Sequence, residues 1–414
     1  MTSTATVVGG GPAGLMAAEV LASAGVAVTV FEHMPSVGRK LLLAGRSGLN
    51  ITHSEPVAQM LHRYGSGANR LAASIHTFGP HELRAWCASL DEPTFVGSSG
   101  QVFPASLRAT PMMRAWLGRL AKLGVTIEVR RRWLGWAATL DGDADGRRLL
   151  FSTPDGNTVE VTSDIVVLAL GGASWPRVGS DGGWVDALQR AGVTVAELRP
   201  ANCGMRVEWT EHFADRFAGT PLKNVAIVVG DHSVRGDAMI TRAGIEGGPV
   251  YAQSATIRDT IARRGRCPMV IDLHPDLDLQ QVAARLGRRR PKDSVATSLR
   301  RTLDLRPVAV SLLREVTGNR LPTEPDALAT LVKAVPLVIQ STMPIDRAIS
   351  TAGGISLDEV DETFMLHRIP GTFVAGEMLD WEAPTGGYLL QATFSTAVAA
   401  ANGALAWLAS TAPR

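Results

Sequence analysis

Three cysteines in 414 residues, Cys87, Cys203 and Cys267, are too few and too scattered for a disulfide framework, and no CxxC pairs them into a zinc site. None of the nine histidines falls at a metal-ligand spacing, so no metal is expected, and a reducing cytoplasm is the expected compartment. Long hydrophobic runs are also lacking. The most apolar helix expected, over 397–409, is shorter than the ~20 residues of a membrane span and carries Asn402 midway, so it reads as a buried helix. The N-terminus reaches a strand at about Thr6 without a basic n-region and meets glycines before an h-region is complete, which argues against secretion. Charge of one sign is missing: 41 Lys and Arg against 39 Asp and Glu leave +2, which identifies no partner. No internal repeat or low-complexity tract occurs. What is present is an ordinary globular composition, 45% hydrophobic and 19% charged, in a chain long enough for about two or three domains.

The N-terminal stretch carries the clearest pattern. Thr6-Val7-Val8 is a short apolar strand, 13–24 is an unbroken Ala/Leu helix closed by Gly25, and Val26-Ala27-Val28-Thr29-Val30-Phe31 is a second strand with Glu32 at its carboxyl end. This is a βαβ unit, the first half of a doubly wound domain. Ile165-Val166-Val167-Leu168-Ala169-Leu170, running into Gly171-Gly172, suits a central parallel strand buried on both faces, and 371–376 reads as a third.

Between these strands the chain changes character. Residues 196–272 alternate β-branched residues with turn signals such as Gly247-Gly248-Pro249, and 279–331 carries Leu and Ala at helical spacing with Asp293 and Ser294 as capping candidates. The expected division is 1–196 and 351–414 for a split dinucleotide-binding domain, 197–275 with 334–350 for a β-rich insert, and 276–333 for a small helical subdomain. Arg263, Arg264, Arg266, Arg288, Arg289, Arg290, Arg300 and Arg301 concentrate here; they fit a solvated helical face or an anionic partner such as RNA.

Gly9, Gly11 and Gly14 form GxGxxG between a strand and a helix, where the backbone turns tightly, Pro12 opens the helix, and the first helical N–H groups, from Ala13 onward, face an anion. Glu32 is placed to accept hydrogen bonds from ribose hydroxyls, and its charge repels a 2′-phosphate, so FAD or NAD is preferred over NADP. A glycine-broken basic loop follows, Gly38-Arg39-Lys40 and then 44–52. In it Arg39, Lys40, Gly45, Gly48 and Asn50 are expected to reach the diphosphate or the flavin edge.

With Gly171-Gly172-Ala173-Ser174-Trp175-Pro176, Ala375-Gly376-Glu377-Met378-Leu379-Asp380 and Pro384-Thr385-Gly386-Gly387-Tyr388-Leu389-Leu390 added, the chain resembles the BaiN-like (YhiN-like) FAD-binding oxidoreductases over nearly its whole length. The resemblance implies an α/β fold: a split Rossmann-like FAD-binding domain with an inserted β-barrel-like domain and a small helical subdomain. It implies FAD as cofactor, and as substrate a small amine or ketone-like metabolite, or uridine in ribosomal RNA reduced to dihydrouridine; with a single dinucleotide fingerprint in the chain, NAD(P)H, if used, is expected to dock transiently. A non-catalytic flavin-bound factor that binds RNA or the ribosome is the alternative. The family loop usually reads Gly-Arg-Cys-Asn; here Leu49 takes the cysteine position and Ser47 precedes the glycine, so thiol chemistry is not expected there.

A flavin needs a partner for its ribityl hydroxyls and a helix N-terminus near its pyrimidine edge. Glu377 beside Gly376 is the ribityl candidate, and Gly386 and Gly387 let the backbone pass close to the ring before a helix from about Leu390. Gly171, Gly172 and Gly354 are further cofactor candidates. Asp380 and Tyr388 are the polar groups expected nearest the reacting face, able to position a substrate or move a proton. Cys203 reads as a small buried hydrophobe.

Overall fold

A computed structural model describes residues 2–45, 48–138 and 144–411. The chain forms two compact units, Met1–Arg199 with Ser350–Arg414, and Pro200–Ile349.

The first unit is built on β1 (Thr4–Val8), α1 (Pro12–Ser23), β2 (Ala27–Glu32), α2 (Arg39–Ala44), β3 (Thr126–Val129), β4 (Ile165–Leu168), β5 (Thr372–Val374) and α3 (Tyr388–Thr411). The strands lie in the order β5-β4-β1-β2-β3, every neighbouring pair parallel, with Val7 opposite Val30 on one side and Val167 on the other. All four residues of β4 and all three of β5 are buried, which is why both read as continuous apolar runs rather than alternating ones. Strand order reverses at β1, and in such sheets ligands bind outside the carboxyl ends of the strands at that switch point.

α1 packs against α3, and Leu15, Met16 and Leu21 are buried between helix and sheet. Full burial of side chains of this size contributes roughly 1.5–3 kcal/mol each. α3 is longer than the sequence suggests: its 24 residues pass through Asn402, whose exposed side chain costs the helix little. By length and composition it is the one helix among the described residues that could cross a membrane, yet 61% of its apolar stretch is buried inside the protein, as a core helix requires. Two three-stranded antiparallel sheets also belong to the unit. One is the meander Arg132–Ala138, Ala144–Ser152 and Thr158–Thr162; the other orders Thr52–His53, Gln101–Pro104 and Thr94–Val96.

The second unit holds a six-stranded antiparallel sheet ordered Met205–Arg206, Gly244–Glu246, His232–Thr241, Pro221–Val229, Cys267–Asp272 and Val335–Ile339. Met205 also bridges to Thr342 just past the last strand, and Arg206 N–H donates to Ser341 O at 3.0 Å, so the sheet curls back on itself like a barrel. Four helices follow the fifth strand: Leu279–Leu286, Val295–Leu303, Pro307–Val316 and Pro325–Lys333. Asp278 and Ser294 cap the first two, and proline at the first position starts the other two. Sheet and helices share one hydrophobic core, so the helices at 279–333 pack onto the sheet of the same unit. The expected boundaries at 196/197 and 350/351 move to 199/200 and 349/350. The strand Val195–Ala201 runs through the first of them, and its partner Ser350–Ile355 belongs wholly to the first unit.

Candidate functional site

The glycine turn sits at the carboxyl end of β1. Gly9 has φ +107°, and a Cβ on it would stand 2.3 Å from Ala169 O; a Cβ on Gly14 would stand 1.9 Å from Gly9 O. Both glycines therefore serve the packing of strand against helix. Gly11 differs: its φ is −80°, and a Cβ there would meet nothing within 4 Å. Neither conformation nor internal packing calls for glycine at 11, and what it leaves is open space before α1. That helix starts at Pro12 and Ala13 with no side-chain cap and no acid in its first turn, so its N–H groups remain available to an anion. The arrangement fits a diphosphate.

Glu32 is buried at the end of β2, where Oε2 accepts Gly10 N–H at 2.9 Å and Oε1 accepts Met34 N–H at 2.7 Å. Beyond it, a cleft opens at the carboxyl ends of β1, β2 and β4, lined by Val8, Phe31, His33, Trp133, Leu170 and Asp181 among others. Two buried polar atoms of its lining, His33 Nε2 and Trp133 Nε1, have no partner, and neither has Ser180 Oγ, a third such atom on the segment between the lining residues Gly179 and Asp181. An orphaned buried donor costs about 1–3 kcal/mol. Such atoms near a ribose-type carboxylate fit the adenosine end of a dinucleotide. No motif in the sequence marks His33, Trp133 or Ser180; only the orphaned atoms do.

A second network ties four distant segments together. Gly38 N–H donates to Gly10 O at 2.8 Å, fixing α2 against the glycine turn. Two residues on, Lys40 Nζ donates to Ser174 Oγ at 2.8 Å and pairs with Glu377 Oε2 at 2.6 Å. Glu377 Oε1 accepts Thr351 N–H at 2.9 Å, and Oε2 also accepts Gly172 N–H at 3.4 Å. Thr351 Oγ1 in turn accepts the N–H groups of Ala173 and Ser174 at 2.9 and 3.3 Å. Three of the roughly four acceptor directions of Glu377 are thus used within the protein, leaving capacity for one more donor. Gly376 brings this segment onto the glycine turn, for a Cβ there would lie 2.9 Å from the Cβ of Ala13. Thr351, fully buried, escaped sequence reasoning.

Several expected cofactor glycines have internal reasons. A Cβ on Gly45 would stand 2.6 Å from the Cβ of Ala109, on Gly172 2.2 Å from Thr351 Oγ1, on Gly354 2.4 Å from Met378 O, and on Gly387 2.4 Å from Thr52 O. Gly171 has φ +71°, and its carbonyl accepts the Trp184 indole at 2.8 Å; a Cβ on Gly386 would touch the Tyr388 ring at 3.0 Å. In the basic loop Gly48 has φ +126°, Arg39 Nη1 donates to Ser36 Oγ at 3.2 Å, and Arg39 Nε and Asn50 Oδ1 are buried without partners. Arg46 and Ser47 lie outside the described residues. Leu49 is buried in the main core, which explains an apolar side chain where the family carries cysteine.

The two residues expected at the reacting face differ sharply. Asp380 is half-buried next to Gly353 and Ile355, its N–H donating to Ile355 O at 2.8 Å. Burial pushes its carboxyl above the usual aspartate range; Glu382 adds to this, while Arg199 and the Gly353 N–H oppose it. Tyr388, the first residue of α3, is buried, stacks on His53 with centroids 5.3 Å apart, and hydrogen-bonds Glu55 and Arg63. Burial and then Glu55 drive its hydroxyl upward, so it holds its proton firmly. Glu55 and Arg63 are themselves paired at 2.9 Å, and the guanidinium lies 5.7 Å over the Tyr388 ring. Tyr388 is thereby tied to Glu55 and Arg63 at the start of α3.

In the second unit the arginines cluster at helix C-termini. Arg263 and Arg264 end Ser254–Arg264 with Arg266 just beyond, Arg288, Arg289 and Arg290 follow Leu279–Leu286, and Arg300 and Arg301 end Val295–Leu303. Arg300 Nε donates to Ala296 O at 3.2 Å, and Arg301 pairs with Asp293 at 2.6 Å. Cations there complement the helix dipole. Cys203 is buried in this unit's core. Among the described residues no three His, Cys, Asp or Glu side chains gather as a metal site.

Fold and site together define an FAD-dependent oxidoreductase with a Rossmann-type cofactor domain. The chain belongs to the family described as HI0933-like protein Rossmann domain, which matches residues 3–403. It is 26% identical to the 3-dehydro-bile acid delta(4,6)-reductase of Clostridium scindens, over 96% of this chain and 98% of that protein. It is 22% identical to the ribosomal RNA dihydrouridine synthase of Haemophilus influenzae, over 95% and 96%. Among solved structures its fold is similar to that of 3-ketosteroid delta1-dehydrogenase from Sterolibacterium denitrificans, at a TM-score of 0.55 and 14% identity over 98% of this chain and all of the other.

Proposed function

We propose that the protein reduces a carbon–carbon double bond conjugated to a carbonyl. The observation that carries this reading is Asp380: half-buried near the glycine-rich segment at 353–354, with its carboxyl pushed above the usual aspartate range chiefly by burial, it is the acid placed to hand over a proton. The relatives' names point the same way, since a delta(4,6) bond next to a 3-keto group and the ring double bond of uridine are both conjugated to a carbonyl. FAD, when bound, supplies the hydride chemistry. The remaining tasks fall to side chains. The open turn at Gly11 and the first turn of α1 hold the diphosphate, Glu32 the ribose, and His33, Trp133 and Ser180 the adenine end. Lys40 and Glu377, locked to each other and to Thr351, hold the ribityl end. Asp380 carries the proton that the carbon next to the carbonyl must receive. Tyr388, with Glu55 and Arg63, fixes the loop beside the helix terminus that favours a reduced, anionic ring.

NAD(P)H is the reductant we assign, docking transiently because the sequence has a single dinucleotide fingerprint. Anaerobic mixing with NADH or NADPH should bleach the flavin, and the bleached enzyme should be reoxidised by an α,β-unsaturated ketone or by uridine-containing ribosomal RNA but not by a saturated ketone. Failure of every conjugated acceptor to reoxidise it overturns the reading. If RNA is the acceptor, a deletion strain lacks a dihydrouridine in its ribosomal RNA.

A further inference from the structure

The cleft beside Glu32 has two walls and a bridge between them. One wall is Arg131, Arg132 and Trp133, at the start of the meander; the other is the segment 179–184. Arg132 Nη2 reaches across to Asp181 Oδ2 at 2.9 Å, and Asp181 Oδ1 is held from behind by Gly183 N–H at 3.0 Å. Segment 179–184 rests directly on the residues after Glu32: a Cβ on Gly179 would stand 2.8 Å from Met34 Cγ and 3.2 Å from His33 Cε1. Trp184 pins the far end of the segment to Gly171 O. The free volume left inside is about 20 Å³, room for about one water, while His33 Nε2 and Trp133 Nε1 in its lining have no partners. Arg132 and Asp181 are 47% and 28% exposed, so water and salt compete for their pairing and the bridge opens at modest cost.

We propose that the Arg132–Asp181 ion pair is a strap across the adenosine end of the cofactor site, which opens to admit FAD and closes behind it, so that this pair sets how long FAD stays bound. The proposal rests on the reading that the adenosine lies in this cleft. Binding without the strap leaves FAD attached through the diphosphate turn and the Lys40–Glu377 network, but free to peel away from its adenine end.

The test is FAD release from the holoenzyme, followed by recovery of flavin fluorescence after dilution. Asp181→Asn and, separately, Arg132→Gln should each speed release about five-fold. The exchanged pair Arg132→Asp with Asp181→Arg should restore slow release, and added salt should speed release in wild type but not in Asp181→Asn. Release within two-fold of wild type in both single variants overturns the strap while leaving FAD binding intact. Wild-type protein that takes up no FAD overturns both the strap and the reading beneath it.

Discussion

The most prominent charged groups of the two units sit in different surroundings. In the first, charged side chains are drawn inward and joined across long stretches of chain. Glu19 on α1 is buried and accepts from Trp116 Nε1 at 2.6 Å, Trp86 Nε1 at 3.1 Å and Arg119 at 2.9 Å, and Lys40 meets Glu377. In the second, the arginine clusters at 263–266, 288–290 and 300–301 stay exposed near helix ends, where Arg300 donates to Ala296, and the charges that are covered, Arg258 and the Lys333–Asp272 pair, are fewer. Burying a charge costs far more than leaving it in water, so the buried set persists only where geometry satisfies it. Charge at the surface is cheap, and its abundance alone says little about function.

This contrast can be broken or sharpened by measurement. The largest effect belongs to Glu19→Ala, which strands an arginine and two indoles behind the cofactor helix; it should lower stability by about 3–5 kcal/mol in urea unfolding. A loss under 1 kcal/mol would erase the distinction between the units. Gly11→Ala comes next. Space and φ both accept an alanine, so unfolding should change by less than about 0.5 kcal/mol, while FAD binding measured by fluorescence titration weakens about ten-fold or more. Equal damage to both would mean that packing, not the ligand, demands Gly11.

Smaller still is the effect at Asp380. Its carboxyl is raised in the folded protein above the ordinary value of 3.8, so between that value and its raised one the native state keeps a proton that the unfolded chain has lost. Wild-type stability should fall as pH rises through that interval, and Asp380→Asn should remove the fall, as melting temperature against pH will register. A parallel pair of curves would refute the raised carboxyl. The smallest effect is expected for Arg288, Arg289 and Arg290 replaced together by alanine: FAD affinity unchanged and stability within about 0.5 kcal/mol. If the same variant also loses RNA binding at low salt, the second unit gains a role beyond helix termination.

The parts of this architecture that the sequence announces are those with strong local signals. β1, β4 and β5 are continuous apolar runs, and the turn at 9–14 combines strand, glycines and helix in one short stretch. The meander and the small sheet around Thr52 gave no such signal. Thr158–Thr162 is almost wholly exposed and Thr52–His53 is only two residues long, so neither carries a readable period. The unit boundary is not legible in the sequence, because a strand, Val195–Ala201, runs through it. Site residues divide the same way. Glu32 and Lys40 sit in recognisable motifs, whereas Thr351, His33 and Asp181 gain meaning only from atoms that the fold brings beside them. Tyr388 was nominated from its place next to Gly387, and no sequence pattern could reveal that Glu55 and Arg63 already hold its hydroxyl.

The Lys40–Glu377 pair spans 337 residues, with an entire unit and its own core encoded in between. Closing so long a loop is entropically costly only once, but it is slow, because the contact gives no return until both ends have arrived. During synthesis the glycine turn emerges early and waits for a partner that appears long after the second unit can already have folded. The full flavin-holding network is therefore complete only when the last part of the chain has folded onto the first.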